Sequence, residues 1–243
     1  MRDVLFLLGP TPKSRGPQQW YESDGGNTRL RQDRKLVAAN FPSLRYGLNY
    51  RTKLVFLEGG LTLRADCGVP TEILIRLVFP HDYPRTEPIV VDKSGLFLHV
   101  PDRHFSADVC CLWLPPESEW KSKDPKALYE FLFHVSVFFE RQLIYDADPE
   151  KKWPWGERPH YVRGYLEYIA EQLGDERLLQ VFSPSLVGGH HIPLAEECPC
   201  NSGRRFEACH FKTIEKLSNK VGREILQKVL HASAQQIAAS ASA

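Results

Sequence analysis

The chain has 243 residues, of which 42% are hydrophobic and 11% aromatic, enough to bury the core of one full domain with an appendage. Its 31 Lys and Arg residues balance its 30 Asp and Glu residues, which disfavours a dominant nucleic-acid surface. No apolar run reaches the roughly 18 residues that a membrane span needs, so we expect a cytoplasmic protein without a membrane partner.

The first half of the chain predicts one helix followed by strands. A Pro- and Gly-punctuated lead-in covers residues 1–27, and apolar residues at helical spacing predict a helix over 28–41. Alternating or continuous apolar runs between turn signals predict four strands, over 50–56, 61–67, 72–79 and 89–91. This order indicates an α+β fold, in which an antiparallel meander sheet packs against helices.

The second half predicts helices and a small cysteine-rich segment. The predicted elements are a long helix over 126–144, a helix over 160–173, a loop-like linker over 176–195, a cysteine-rich segment with an amphipathic helix within 196–231, and a fraying Ala/Ser-rich tail over 232–243. The aromatic residues Trp153, Trp155 and Tyr161 are expected to cover the core beside the long helix, with a partner-binding edge as the alternative. His190 and His191 are expected in a solvated loop.

A proline-rich segment, from Phe79 to Pro88, joins two of the predicted strands. Each proline fixes φ and lacks a backbone N–H donor, so this segment cannot belong to a central strand ladder. Taken alone, it predicts only a rigid connector.

Two adjacent thiols follow, Cys110 and Cys111, with His104 seven residues before Cys111. A partly ionised thiol is a strong covalent nucleophile, although a cysteine is more often a small buried residue. In an extended segment the two side chains point to opposite sides, so one faces the core. We expect Cys110 to be buried with a raised pKa, and an exposed Cys111 near His104 to have a lowered pKa.

Together these features resemble the ubiquitin-conjugating enzymes over about residues 28–173, which assigns a catalytic domain to 28–175. The matching residues are Phe79, Pro80, Tyr83, Pro84 and Pro88 in the family's proline-rich turn, Cys111 and Leu112 at its catalytic Cys-Leu pair, and Trp120 after it. The stretch from Pro101 to His104 replaces the family's His-Pro-Asn. The Asn that stabilises the isopeptide-forming step is therefore missing, and His104, Asp102 and Asp108 are the candidates for its role.

The resemblance implies a thioester-carrying acyl transferase. The C-terminus of a ubiquitin-like protein would come from an activating enzyme, or as a pre-activated substrate, onto Cys111 and pass to a target lysine. The departures resemble divergent bacterial conjugating enzymes, some of which occur in CBASS antiphage operons. There, the modified C-terminus would belong to a nucleotidyltransferase.

Two alternatives remain open. One is a catalytically silent member of the same fold that binds a ubiquitin-like protein. The other is a cysteine hydrolase that removes such modifiers, with His134 or His160 in a relay with Cys111.

The last motif is a cluster formed by Cys198, Cys200, Cys209 and His210. Three thiolates and one imidazole make a tetrahedral zinc set without an open position, which predicts one structural Zn²⁺ per chain. The six cysteines do not form the pattern of a secreted disulfide framework. The motif resembles the SEC-C knuckle, which mediates protein contacts.

Overall fold

The computed structural model describes residues 18–63, 71–148, 150, 153, 159–188 and 192–241, without the side chains of 102 and 236–241. The chain divides into two compact units, residues 1–112 with 119–156 and residues 113–118 with 157–243. This division differs from the predicted catalytic domain, which extended to residue 175. In the described part of the chain, no helix combines the length and apolar character that crossing a bilayer requires.

The first unit contains a helix, a sheet and a second helix. Helix α1 spans Asp24–Asn40, and its N-terminus is capped by Ser23, whose hydroxyl accepts a hydrogen bond from the Gly26 N–H at 3.1 Å. The strands are β1 Leu44–Asn49, β2 Leu54–Thr62, β3 Glu72–Val78, β4 Ile89–Asp92, β5 Phe105–Ser106 and β6 Val109–Cys110. Every pair is antiparallel, in the order β1-β2-β3-β4-β6-β5. Helix α2 spans Ala127–Ala147. These elements confirm the predicted α+β class with an antiparallel sheet.

The predicted strand boundaries near the first hairpin are wrong. Residues 50–53 form the turn between β1 and β2, and Lys53 has a φ of 59°. Tyr50 and Thr52 are typical strand residues, whereas Gly47 and Asn49 inside β1 are not. Strand propensity therefore predicted a strand in the turn and missed β1. Of the predicted strand over 61–67, residues 61 and 62 belong to β2, and 64–67, including Cys67, lie outside the described residues.

The core of the first unit includes buried residues of the sheet and of α2, and the rings of Phe105 and Phe138 meet in it. Alternate residues of β3 are buried, Ile73, Ile75 and Leu77 among them, as expected for a sheet with one covered face. The predicted apolar face of α2 is confirmed, because all six of its residues are buried: Leu128, Phe131, Leu132, Val135, Phe138 and Phe139. Burying one such side chain stabilises the fold by about 1.5–3 kcal/mol.

A buried polar network fixes the proline-rich turn. The Tyr83 hydroxyl donates to the carboxylate of Asp33 at 2.6 Å, and Arg29 donates to both oxygens of Asp33 at 3.0 Å. The Trp120 indole N–H donates to the carbonyl of Pro84 at 2.8 Å. The turn is thus tied to α1 and to the segment before α2, a role for Arg29 and Asp33 that the sequence did not indicate.

The second unit is helical. Its helices are α3 Tyr161–Leu173, α4 Leu178–Val181, α5 Ser183–Leu186, α6 Phe211–Val221 and α7 Arg223–Ala241. Helix α3 ends at Gly174, as predicted, and this glycine has the left-handed conformation. Tyr161 is exposed, so the expectation that it covers the core is wrong.

Two predictions for this unit are wrong. The predicted linker over 176–195 contains α4 and α5, because Leu179, Phe182 and Leu186 are buried against the other helices of the unit. The single helix predicted up to residue 231 is broken at Gly222, whose φ of 79° is unfavourable for other residues. Helix α7 continues into the Ala/Ser-rich tail as far as Ala241, consistent with the helix-forming alanines there, and the fraying of this tail stays a prediction. His190, His191 and Trp155 lie outside the described residues.

Candidate active site and metal centre

Cys111 and His104 meet at the open end of the β5–β6 hairpin. Phe105 pairs with Cys110 in this hairpin, and one step further the Cys111 N–H donates to the carbonyl of His104 at 2.7 Å. A ring nitrogen of His104 lies within 4.8 Å of the Cys111 Sγ. This separation is within reach of one bridging water, so a proton can pass between the two groups.

The two neighbouring thiols have different surroundings. Cys110 is 8% exposed and belongs to the core, while Cys111 is partly exposed, as the alternation along a strand predicts. Burial raises the pKa of Cys110, helped by the negative charge of Asp92. Burial also raises the pKa of Cys111, so the lowered pKa expected for this thiol is wrong. The partial exposure of Cys111 does not hydrate its thiolate enough to offset desolvation.

The residue before His104 is turned toward helix α2. The Arg103 guanidinium donates to the side-chain oxygen of Gln142 at 3.0 Å and to the carboxylate of Asp146 at 2.9 Å. In return, the Gln142 amide donates to the carbonyl of Arg103 at 2.7 Å. Arg103 lies between Pro101 and His104, and its charge is neutralised by Asp146 of the helix.

The His104 ring packs against an aromatic residue. Its centroid lies 4.9 Å from that of Trp153, which in turn lies 5.7 Å from the ring of Tyr145 on α2. His104 itself has the left-handed conformation, with φ 56° and ψ 40°. The expected packing of Trp153 beside the long helix is therefore observed, and it reaches the candidate site.

Two other predicted site residues, Asp108 and His134, occupy other parts of the first unit. Asp108 is in the turn of the hairpin, three residues from Cys111, which corresponds to about 10 Å along an extended strand. Its carbonyl accepts a hydrogen bond from the Asp92 N–H at 2.9 Å. His134 lies eight residues before Gln142 on α2, or about 12 Å along the helix. His160 belongs to the second unit, and the side chain of Asp102 is outside the described part.

The Cys/His cluster is assembled as predicted. The ligand atoms of Cys198, Cys200, Cys209 and His210 all lie within 4.8 Å of one another. The His210 Nδ1 is 3.3 Å from the Cys198 Sγ and 3.2 Å from the Cys209 Sγ, and the Cys200 and Cys209 sulfurs are 3.6 Å apart. Tetrahedral zinc bonds of about 2.0–2.3 Å place ligand atoms roughly 3.3–3.8 Å apart. The donor set and its spacing therefore fit a metal ion.

Local backbone geometry brings these four ligands together. The Asn201 N–H donates to the carbonyl of Cys198 at 3.1 Å, and Asn201 and Gly203 both have positive φ, so the chain reverses between the ligand pairs. The His210 Nε2 is 3.2 Å from the carbonyl of Leu173, at the end of α3. If Nε2 carries the proton and donates here, Nδ1 is left as the ligand atom, the usual outer-shell arrangement of a metal-bound histidine.

The electrostatics of the cluster favour a cation. Burial opposes ionisation of Cys200, but its hydrogen bonds with Ser202 and Cys198 lower its pKa to about 6, whereas burial raises the pKa of Cys198 to about 11. Arg204 also donates to the Cys209 Sγ at 3.3 Å. One thiolate therefore forms readily, and a bound cation would promote ionisation of the others.

No protein-family model matches this chain, and no curated protein matches it. Among solved structures, the chain is similar to the yeast vps23 UEV domain in complex with a vps27 PSDP peptide, at 18% identity and a TM-score of 0.32, over 46% of this chain and 81% of that chain. A likeness this weak carries no argument about function. The class that the observations define is an α+β protein with a thiol–imidazole pair and a Cys/His cluster that can hold a metal ion.

Proposed function

We propose that this protein is a ubiquitin-conjugating-like acyl transferase, which carries a protein C-terminus as a thioester on Cys111 and passes it to a target amine. The observation that supports this most is the position of Cys111. It is partly exposed at the end of β6, with a His104 ring nitrogen within 4.8 Å of its sulfur. The buried neighbour Cys110 cannot serve in the same way.

The proposed reaction has two acyl transfers. In the first, the Cys111 thiolate attacks the carbonyl of an incoming thioester, and the donor thiolate leaves. In the second, a lysine amine attacks the Cys111 thioester, the Cys111 thiolate leaves, and the amine loses one proton to a base. His104 is placed to accept this proton or to donate a hydrogen bond to the oxyanion, the two roles that such a transfer needs.

Burial raises the pKa of Cys111, so its thiolate is a poorer leaving group than that of an ordinary cysteine. A thioester on Cys111 would therefore react more slowly with water and with amines alike. Transfer to the target amine would then depend on help from His104.

The partners follow from the resemblance to the conjugating enzymes. The acyl donor would be a ubiquitin-like protein, or the C-terminus of a nucleotidyltransferase if the chain acts in CBASS antiphage defence. It would be delivered by an activating enzyme or as a pre-activated substrate.

We also propose that the Cys/His cluster holds one structural Zn²⁺. Cys198, Cys200, Cys209 and His210 would fill a tetrahedral shell and leave no position for water, so this metal would stabilise the second unit. In this proposal the SEC-C-like knuckle serves protein contacts.

The function is tested with a ubiquitin-like protein that carries a C-terminal mercaptoethanesulfonate thioester. Transfer to the protein would give an adduct that dithiothreitol removes, detected by intact mass spectrometry under non-reducing conditions. Adding free lysine should then convert the adduct to a lysine conjugate that dithiothreitol does not cleave.

The alternatives give different products. A hydrolase would release the probe as a free acid with repeated turnover and no lysine conjugate. A binding module would form a noncovalent complex with no adduct, and Cys111→Ser would leave that complex unchanged. Either result would reject the transferase proposal.

A further inference from the structure

One fully buried residue on α2 is polar where the helical pattern calls for an apolar side chain. Gln142 is 0% exposed and continues the buried face of Val135, Phe138 and Phe139. A buried amide is unfavourable unless its donor and acceptor both have partners. A glutamine at this buried position is therefore expected to have hydrogen-bond partners for both ends of its amide.

Both ends of the Gln142 amide are directed to one residue of the candidate active-site loop. The amide nitrogen donates to the carbonyl of Arg103 at 2.7 Å, and the amide oxygen accepts from the Arg103 guanidinium at 3.0 Å. The same guanidinium is paired with Asp146, one helical turn further along α2. The two residues are 39 positions apart in the chain, so this contact links the loop to the helix.

The peptide group that Gln142 holds is the one that leads into His104. Its carbonyl belongs to Arg103 and its N–H belongs to His104, and that N–H donates to the carbonyl of Pro101 at 2.8 Å. The carbonyl of His104 accepts from the Cys111 N–H at 2.7 Å. His104 is thus fixed on both sides in a left-handed conformation that non-glycine residues rarely adopt.

We infer that Gln142 is a positioning residue for the proposed reaction. It does not touch the reacting atoms. It fixes the peptide before His104, and thereby keeps the imidazole beside the Cys111 sulfur. This inference rests on the proposed role of His104. It adds a residue of helix α2 to those that position the candidate active site.

The test compares Gln142→Met with Ser136→Ala. Methionine keeps the length and shape of the side chain but removes both hydrogen-bonding groups. Ser136 is also buried on α2, and its hydroxyl donates to the carbonyl of Leu132 in the same helix at 3.1 Å, so it controls for loss of a buried polar group. Gln142→Glu is the second variant, because it keeps the acceptor for Arg103 and loses the donor. If Gln142→Met does not fold, Gln142→Glu tests the inference in its place.

The first measurement is the rate of discharge, in which the acyl group passes from loaded Cys111 to free lysine. We expect Gln142→Met to load Cys111 normally and to discharge about 10-fold more slowly, while Ser136→Ala discharges like the parent. His104→Ala combined with Gln142→Met should be no slower than His104→Ala alone, because both changes remove the same function. Additive losses, or a parental rate for Gln142→Met, would overturn the inference.

Alkylation of Cys111 by iodoacetamide gives a second reading that needs no acyl donor. If the parent forms no thioester, the proposed function fails, but the positioning inference can still be judged. Gln142→Met should then change the alkylation rate in the same direction as His104→Ala and by a smaller factor, and the double variant should match His104→Ala. Independent or absent effects on this rate would reject the positioning role.

Discussion

The Cys111 site and the Cys/His cluster use the same two residue types for different chemistry. In the cluster, three sulfurs and an imidazole lie within 4.8 Å of one another, so each thiol has further donors beside it. The Cys111 site brings a single sulfur beside His104, and burial desolvates that sulfur. Crowded sulfur ligands favour a closed metal site, whereas a single partly exposed thiol leaves room for an acyl group. The number of neighbouring sulfurs therefore separates a structural cysteine from a candidate reactive one.

The two sites also differ in how their ligands are brought together. The cluster lies within one short segment, between Cys198 and His210, and a local turn brings its halves together. The Cys111 site needs the β5–β6 hairpin and a helix that follows later in the chain. We expect perturbations of the cluster to act on stability, and perturbations of the Cys111 site to act on rate.

The largest expected effect is the loss of the metal. Chelation, or Cys209→Ser, should increase hydrogen exchange across residues 192–231 and leave β1 to β4 of the first unit protected. The apparent binding free energy of a structural zinc, about 10–16 kcal/mol, exceeds the stability of most domains. Elemental analysis with well under one zinc per chain, together with a protected knuckle, would contradict this expectation.

A smaller loss of stability is expected in the first unit from Asp33→Ala. Removing the carboxylate leaves Arg29 buried without its anion, which should cost about 3–5 kcal/mol in urea unfolding. Glu224→Ala is the matched control, because Glu224 and Lys228 form an exposed ion pair of the same i,i+4 spacing. We expect no measurable change from the control. Equal losses of unfolding free energy for the two substitutions would show that burial does not determine the cost of removing the carboxylate.

Local patterns predicted much of the molecule, and contacts between distant residues were harder to predict. The Cys/His cluster was predictable because its ligands are neighbours in the chain, and the face of α2 because its apolar residues repeat at helical spacing. The Gln142–Arg103 contact was missed, because a glutamine on a helix gives no sign of its partner 39 residues away. Helices α4 and α5 were missed because they have four residues each and are stabilised by the burial of Leu179, Phe182 and Leu186.

The next effect is on the rate of amine transfer. His104→Ala should leave loading of Cys111 within about 2-fold of the parent and slow discharge to lysine by about 100-fold, the typical contribution of a positioned acid or base. Single-turnover discharge of purified, loaded enzyme measures this. Equal discharge rates would assign His104 a purely structural role.

The smallest expected effect is the pH dependence of Cys111. Because burial raises the pKa of this thiol, only a small fraction is ionised at pH 7, and that fraction increases as the pH rises. The rate of iodoacetamide labelling should therefore increase about 10-fold per pH unit between about pH 7 and 8.5 without reaching a plateau. A plateau below pH 8 would show a lowered pKa and contradict the electrostatic account.

The most direct test of the central claim compares Cys111→Ser with Cys110→Ser in the loading reaction with the thioester probe. We expect Cys111→Ser to form no adduct that dithiothreitol can cleave, and at most a dithiothreitol-resistant ester on the serine. Cys110→Ser should still form the reducible adduct and should only be less stable, because it places a hydroxyl in the core. A reducible adduct that persists in Cys111→Ser and disappears in Cys110→Ser would contradict the assignment of Cys111 as the acyl carrier.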